Sequence, residues 1–228
     1  MSTYDWIALG LFVVLWLGYE PLLARIARRT GALTHDMLVV RGFWMRAMTR
    51  RDNGLTDANL VGHTLNSASF FASANLILIA AVGGALFGGG MKINTVLQHG
   101  VGVAISSRLL EWKLALITVC LVRGLLDFIW SIRQLNYCLA MVGAAYDGLA
   151  PEKQNDYADA VAEVLNPALQ AFSHGVRSYY FALAASAWLF GPVGLAVAGI
   201  GAFALLIWRQ ASSKAARGIR RARAILER

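Results

Sequence analysis

With 228 residues, 57% of them hydrophobic and only 15% charged, the chain is too apolar for one ordinary soluble domain of this length, and the bilayer is its expected solvent. The net charge of +8 comes mainly from arginines, most of them in residues 25–51 and 209–228, and clusters of that kind usually meet lipid phosphates. No nucleic-acid recognition motif accompanies the charge, which argues against DNA or RNA as a partner.

The first segment has Asp5 where a secretory signal carries basic residues, and no small-residue cleavage site follows its apolar run, so the first helix is expected to be retained. Residues 6–24 form a span of about the length that a hydrocarbon core of roughly 30 Å needs, closed by Arg25, Arg28 and Arg29. The stretch RGFWMRAMTRR, Arg41 to Arg51, mixes Phe43, Trp44, Met45 and Met48 with Arg46, Arg50 and Arg51. That is the composition of an interfacial anchor, with a docking site for a partner protein as the sharper alternative. A second span covers 67–88 and stops at Gly88, Gly89 and Gly90, a run without the lysine and hydroxyl residue of a phosphate loop. Asn66, Ser69, Ser73, Ala80 and Gly84 share one face of it, a stripe that allows close helix approach. Residues 93–110 are too polar for a clear span and are read as an interfacial or re-entrant helix, with a fifth crossing as the alternative.

A third span, 113–135, is predicted to continue as helix to about Ala145. Residues 151–166 make an amphipathic helix, with Tyr157, Val161 and Val164 on one face and Asp156, Asp159 and Glu163 on another. Asn166 and Pro167 resemble an N-cap and first-turn pair that starts the next helix. The fourth span, 178–208, contains Gly191 and Pro192, which predict a kink. Its Gly194, Ala198 and Ala202 make the best surface for a homotypic contact. The tail, 213–228, sets Ala215, Ile219, Ala222 and Leu226 opposite Arg217, Arg220, Arg221 and Arg228, the pattern of a helix lying on an anionic leaflet.

Charge and hydropathy disagree about sidedness. Four spans put the two arginine clusters on opposite faces of the membrane, whereas the positive-inside rule prefers both inside, which a fifth crossing at 93–110 would supply. The reading adopted is four spans with the first loop cytoplasmic.

Chemistry concentrates on the third span, where Cys120, Arg123, Asp127, Ser131, Gln134 and Cys138 fall within about 80° of arc and form an intramembrane polar seam. Arg123 and Asp127 are i,i+4 neighbours and can pair, which reduces the cost of a membrane charge. Such a pair fixes helix register; a proton or ion path is the functional alternative. Glu20 is the other acidic group near membrane depth, with Arg123 or Arg133 as candidate partners. Arg46, Arg50, Arg51, Arg217, Arg220 and Arg221 are the expected lipid-headgroup contacts. His35, His63, His99 and His174 stand singly, and the two cysteines form no CxxC, so neither metal nor cofactor is expected. No nucleophile elbow, phosphate loop or dinucleotide fingerprint is present, and no catalytic residue is assigned.

Four segments carry a resemblance: Arg41 to Met48 with Trp44, Asn66 to Asn75 (NSASFFASAN), Ile132, Arg133, Asn136 and Tyr137 in IRQLNY, and Gly175 to Pro192 (GVRSYYFALAASAWLFGP). On these the chain resembles an uncharacterised family of bacterial and plant membrane proteins catalogued as domain of unknown function 599. The resemblance implies a helical membrane architecture and carries no assigned activity, substrate or catalytic residue. The expectation is therefore one all-α membrane domain over 1–228, a polytopic bundle of four transmembrane helices, five as the alternative, with amphipathic interfacial helices. It would be a non-enzymatic protein of the bacterial inner membrane, a homo-oligomer or a subunit of a larger complex, in contact with anionic lipids. A small transporter or channel using the seam, and a lipid-modifying membrane enzyme, are the rival readings.

Overall fold

A computed structural model describes residues 1–30, 33–89, 106–145 and 150–228. Among the described residues the chain is helical throughout: α1 (Thr3–Thr30), α2 (Leu33–Met48), α3 (Leu55–Gly84), α4 (Ser107–Ala144), α5 (Pro151–Ser186), α6 (Pro192–Ala211) and α7 (Lys214–Leu226). A π-turn, Ala85–Gly89, ends α3, and a 3-10 turn, Ala187–Phe190, follows α5. Among the described residues four stretches are long and apolar enough to cross a membrane: Thr3–Arg25, Leu55–Gly88, Ser107–Ala144 and Pro192–Leu226. Most of 93–110 lies outside the described residues.

The chain divides into two compact units. The first comprises Met1–Ala24, Ser73–Leu125 and Gly175–Ile207. Helix α1 begins with a capping box: Ser2 Oγ accepts from the Asp5 amide at 3.2 Å while Asp5 Oδ2 accepts from the Ser2 amide at 2.9 Å. The other Asp5 oxygen takes the Trp188 indole N–H at 3.0 Å, so one carboxylate caps α1 and latches the end of α5. Along α1, Phe12 meets Phe181 edge-on at 5.9 Å, and Tyr19 lies 5.1 Å under the Arg177 guanidinium. Residue numbers rise on α1 as they fall on α5, so these segments are antiparallel. Phe12 and Leu15 pack on Gly199, and Tyr19 packs on Phe203 at 6.0 Å, so α1 and α6 are parallel. Gly124 of α4 receives α5 closely: a Cβ there would stand 2.8 Å from Ser178 Cβ and 3.2 Å from Asn75 Nδ2.

The second unit comprises Arg25–Ala72, Leu126–His174 and Trp208–Arg228. Its core joins Met45 and Met48 of α2, Val61 and Ala68 of α3, Leu135, Cys138 and Val142 of α4, and Ala158, Val161 and Leu165 of α5. Phe71 stacks on Phe128 at 5.8 Å, and Phe172 closes the cluster. Tyr157 and Val161 turn inward while Asp156, Asp159 and Glu163 stay exposed, as the period of this segment predicts.

Two expectations change. Asn166 and Pro167 do not start a helix; α5 runs through them, because Pro167 sits on the exposed face, where the carbonyl left without its amide partner can be hydrated. Residues 178–208 are not one kinked helix. The helix ends at Ser186, Gly191 adopts φ +115°, a conformation that side chains resist, and Pro192, lacking an amide, opens α6 in the opposite direction. Gly194 serves the same reversal, since a Cβ on it would lie 2.5 Å from the Ala187 carbonyl.

Candidate functional site

Polar chemistry gathers in the second unit around two buried carboxylates. Asp57, in the first turn of α3, is fully buried. Its Oδ1 accepts the Trp44 indole N–H at 2.7 Å and pairs with the Arg51 guanidinium, while Oδ2 is buried without a hydrogen bond. A carboxylate at a helix N-terminus sits at the favourable end of the dipole. Beside it opens a groove of about 450 Å³ lined by Trp44, Arg51, Thr56, Leu60 and Thr64. Thr64 donates back to the Leu60 carbonyl at 3.2 Å and the Arg51 guanidinium is paired, so these lining residues supply a cation and hydroxyls but no general base.

Asp36 on α2 is the second. Arg223 donates to Oδ1 at 3.0 Å and Arg220 lies 3.7 Å from Oδ2, which clasps α7 against α2. Thr34 adds a hydroxyl bond to Gln210 at 3.1 Å. On the outer surface Arg46 grips Asp159 with two bonds of 3.1 Å, and Arg50 reaches Asn155 at 3.2 Å. Arg41 meets Asn166 at 3.5 Å, and burial holds its guanidinium below the ordinary arginine value. The Tyr157 hydroxyl, pushed up by burial, donates to the Met141 carbonyl at 2.8 Å. Arg46, Arg50, Arg51 and Arg220 therefore all have partners within this chain, whereas Arg217 and Arg221 lie exposed.

The seam residues on α4 fall in unlike surroundings. Cys120 is buried in the first unit and Cys138 in the core of the second; Ser131 is buried and donates to the Ala168 carbonyl at 2.7 Å. Arg123 is exposed, and Asp127 and Gln134 are half-buried, the Gln134 Oε1 atom being buried with no hydrogen-bond partner. Near Glu20 the structure brings Arg177, whose Nη1 is 3.9 Å from Oε1, a partner the sequence reading did not single out. Arg133 instead donates to Tyr137 at 2.7 Å. Lys113 is buried 5.9 Å from the Trp188 ring. Among the described residues no three His, Cys, Asp or Glu side chains come together to hold a metal ion.

The carboxylates that matter were missed because nothing in their spacing marks them. Asp36, Asp57 and Asp5 pair with residues 187, 13 and 183 positions away, respectively. The one legible hint was Ser2 three residues before Asp5.

Helices of this length and apolarity, with aromatic and arginine-rich ends, define a multi-pass helical membrane protein. Its family follows from residues 7–215, which match the model described as protein of unknown function, DUF599, and the chain belongs to that family. No curated protein and no solved structure matches it.

Proposed function

We propose that the chain is a non-enzymatic structural or accessory protein of the bacterial inner membrane that self-associates through α3 and meets anionic headgroups with its exposed arginines, Arg217 and Arg221 among them. One observation carries this reading. In its most apolar window α3 is only 11% buried against the rest of the chain, compared with 33% for α4, and Asn66, Ser69, Ser73, Ala80 and Gly84 on its shared face are all exposed. Lipid tails are as apolar as leucine, so large side chains gain little by pairing there. A small face with hydroxyls and an amide gains close backbone packing and interhelical hydrogen bonds. The rival stripe on α6 is less open, because Gly194 lies against the Ala187 carbonyl and Ala198 and Ala202 are half-buried. A second copy of this chain presents the same α3 face, which makes an isologous pair the simplest partner.

Disulfide cross-linking in native membranes tests it. Ser73→Cys and Ala80→Cys should give dimers, and Val197→Cys, exposed on α6, should not. Monomers at both α3 positions would overturn the reading. A Gly84→Leu variant should lose association while keeping its melting temperature, since nothing lies within 4 Å of a Cβ at Gly84.

A further inference from the structure

We infer that the C-terminal half of α5, from about Gly175 to Phe190, is a fifth membrane crossing, which places both arginine clusters on the cytoplasmic face and the chain's two ends on opposite sides. Hydropathy gives this segment no span of its own, because Arg177, Ser178, Tyr179 and Tyr180 interrupt it, and the sequence reading joined its apolar end to α6. Its contacts tell otherwise. Trp188 meets Asp5, Phe181 meets Phe12 and Trp16, and Arg177 meets Tyr19 and Glu20, so this half-helix follows the first span from one end to the other. Asp5 to Glu20 is about 22 Å of helix, most of a hydrocarbon core.

Its polar groups are turned away from lipid. Arg177 is 8% exposed and Ser178 5%, whereas Leu183 is 73% and Phe190 59% exposed, the reverse of a helix in water. Helix α4 supplies a ruler for the same slab: exposed Trp112 and Trp130 are about 27 Å apart along the helix, the spacing of two aromatic belts. The reversal at Gly191 then sends α6 back, parallel to α1.

Because α1 and α6 are parallel, they leave the membrane on one side, and the clasp of Asp36 with Arg220 and Arg223 requires that 33–48 and 214–226 share that side. Crossing order gives 25–66, 133–172 and 209–228 a common face. Those segments hold sixteen of the 21 lysines and arginines, against Arg108 on the other face. The positive-inside rule makes the rich face cytoplasmic, and the conflict between charge and hydropathy disappears.

Labelling by a membrane-impermeant maleimide decides it, using full-length single-cysteine variants Thr3→Cys, Lys153→Cys and Arg228→Cys in spheroplasts and in inverted vesicles, with the unsubstituted chain as background. Thr3→Cys should label only from outside, and Lys153→Cys and Arg228→Cys only in inverted vesicles. Thr3→Cys and Arg228→Cys labelling from the same side would overturn the fifth crossing. All three sites reversed would overturn the cytoplasmic assignment.

Discussion

The two units use polar groups differently. In the first, buried polar groups join helices, as where Asp5 takes the Trp188 indole and Asn75 donates to the Leu121 carbonyl at 2.8 Å, while Trp6, Ile7, Val14, Leu17, Ile77 and Val119 are exposed. In the second, carboxylates meet arginines both inside and at the surface: Asp36 and Asp57 are buried against Arg223 and Arg51, and Arg46 pairs with Asp159 outside. The continuous helix α4 contributes to both units, and at about 57 Å it is nearly twice the thickness of a hydrocarbon core.

The sharpest way to break the first unit is through backbone proximity. Gly124→Leu forces a side chain into Ser178 and Asn75, and overpacking at a site this tight should destabilise by about 3 kcal/mol, read as a large fall in melting temperature in detergent. In the second unit the corresponding weak point is ionic. Asp57→Ala removes the acceptor shared by Trp44 and Arg51 and should cost about 2 kcal/mol, less than the loss of a doubly buried pair because Arg51 is half exposed. An unchanged melting temperature would mean that this carboxylate contributes nothing to the fold. The smallest effect is expected on the surface, where both partners of the Arg46–Asp159 pair are solvated. Arg46→Ala should lower stability by less than about 1 kcal/mol, and the difference should vanish in high salt. A loss that persists in salt would show that the guanidinium packs rather than pairs.

Much of the fold was legible in the sequence because long apolar periods survive any tertiary context. The first three membrane-length stretches and the inward face of the α5 amphipathic segment follow from period and length. The separateness of the end of α5 did not, for a physical reason: Arg177 and Ser178 lower its hydropathy, so its apolar residues read as one span with α6, and only the structure shows those two side chains buried among neighbouring helices. Gly191 and Pro192 were recognised as a break, but whether a break kinks or reverses a chain depends on packing partners, here α1 on both sides of the turn. The arginines at 41–51 read as lipid anchors because their carboxylate partners, Asp57 and Asp159, carry no local signature pointing back to them.

The central claim, that one chain is solvated by lipid along one part and by water along the other, is tested most directly on α4. Nitroxides placed at the exposed positions Val119, Leu126, Ala140 and Gly143, in a chain whose buried cysteines are replaced by alanine, report collision with oxygen or with a polar nickel reagent in lipid bilayers. Oxygen should dominate at 119 and 126 and the nickel reagent at 140 and 143, with the change near Trp130. Oxygen dominance at all four positions would put the whole helix in lipid and contradict the account.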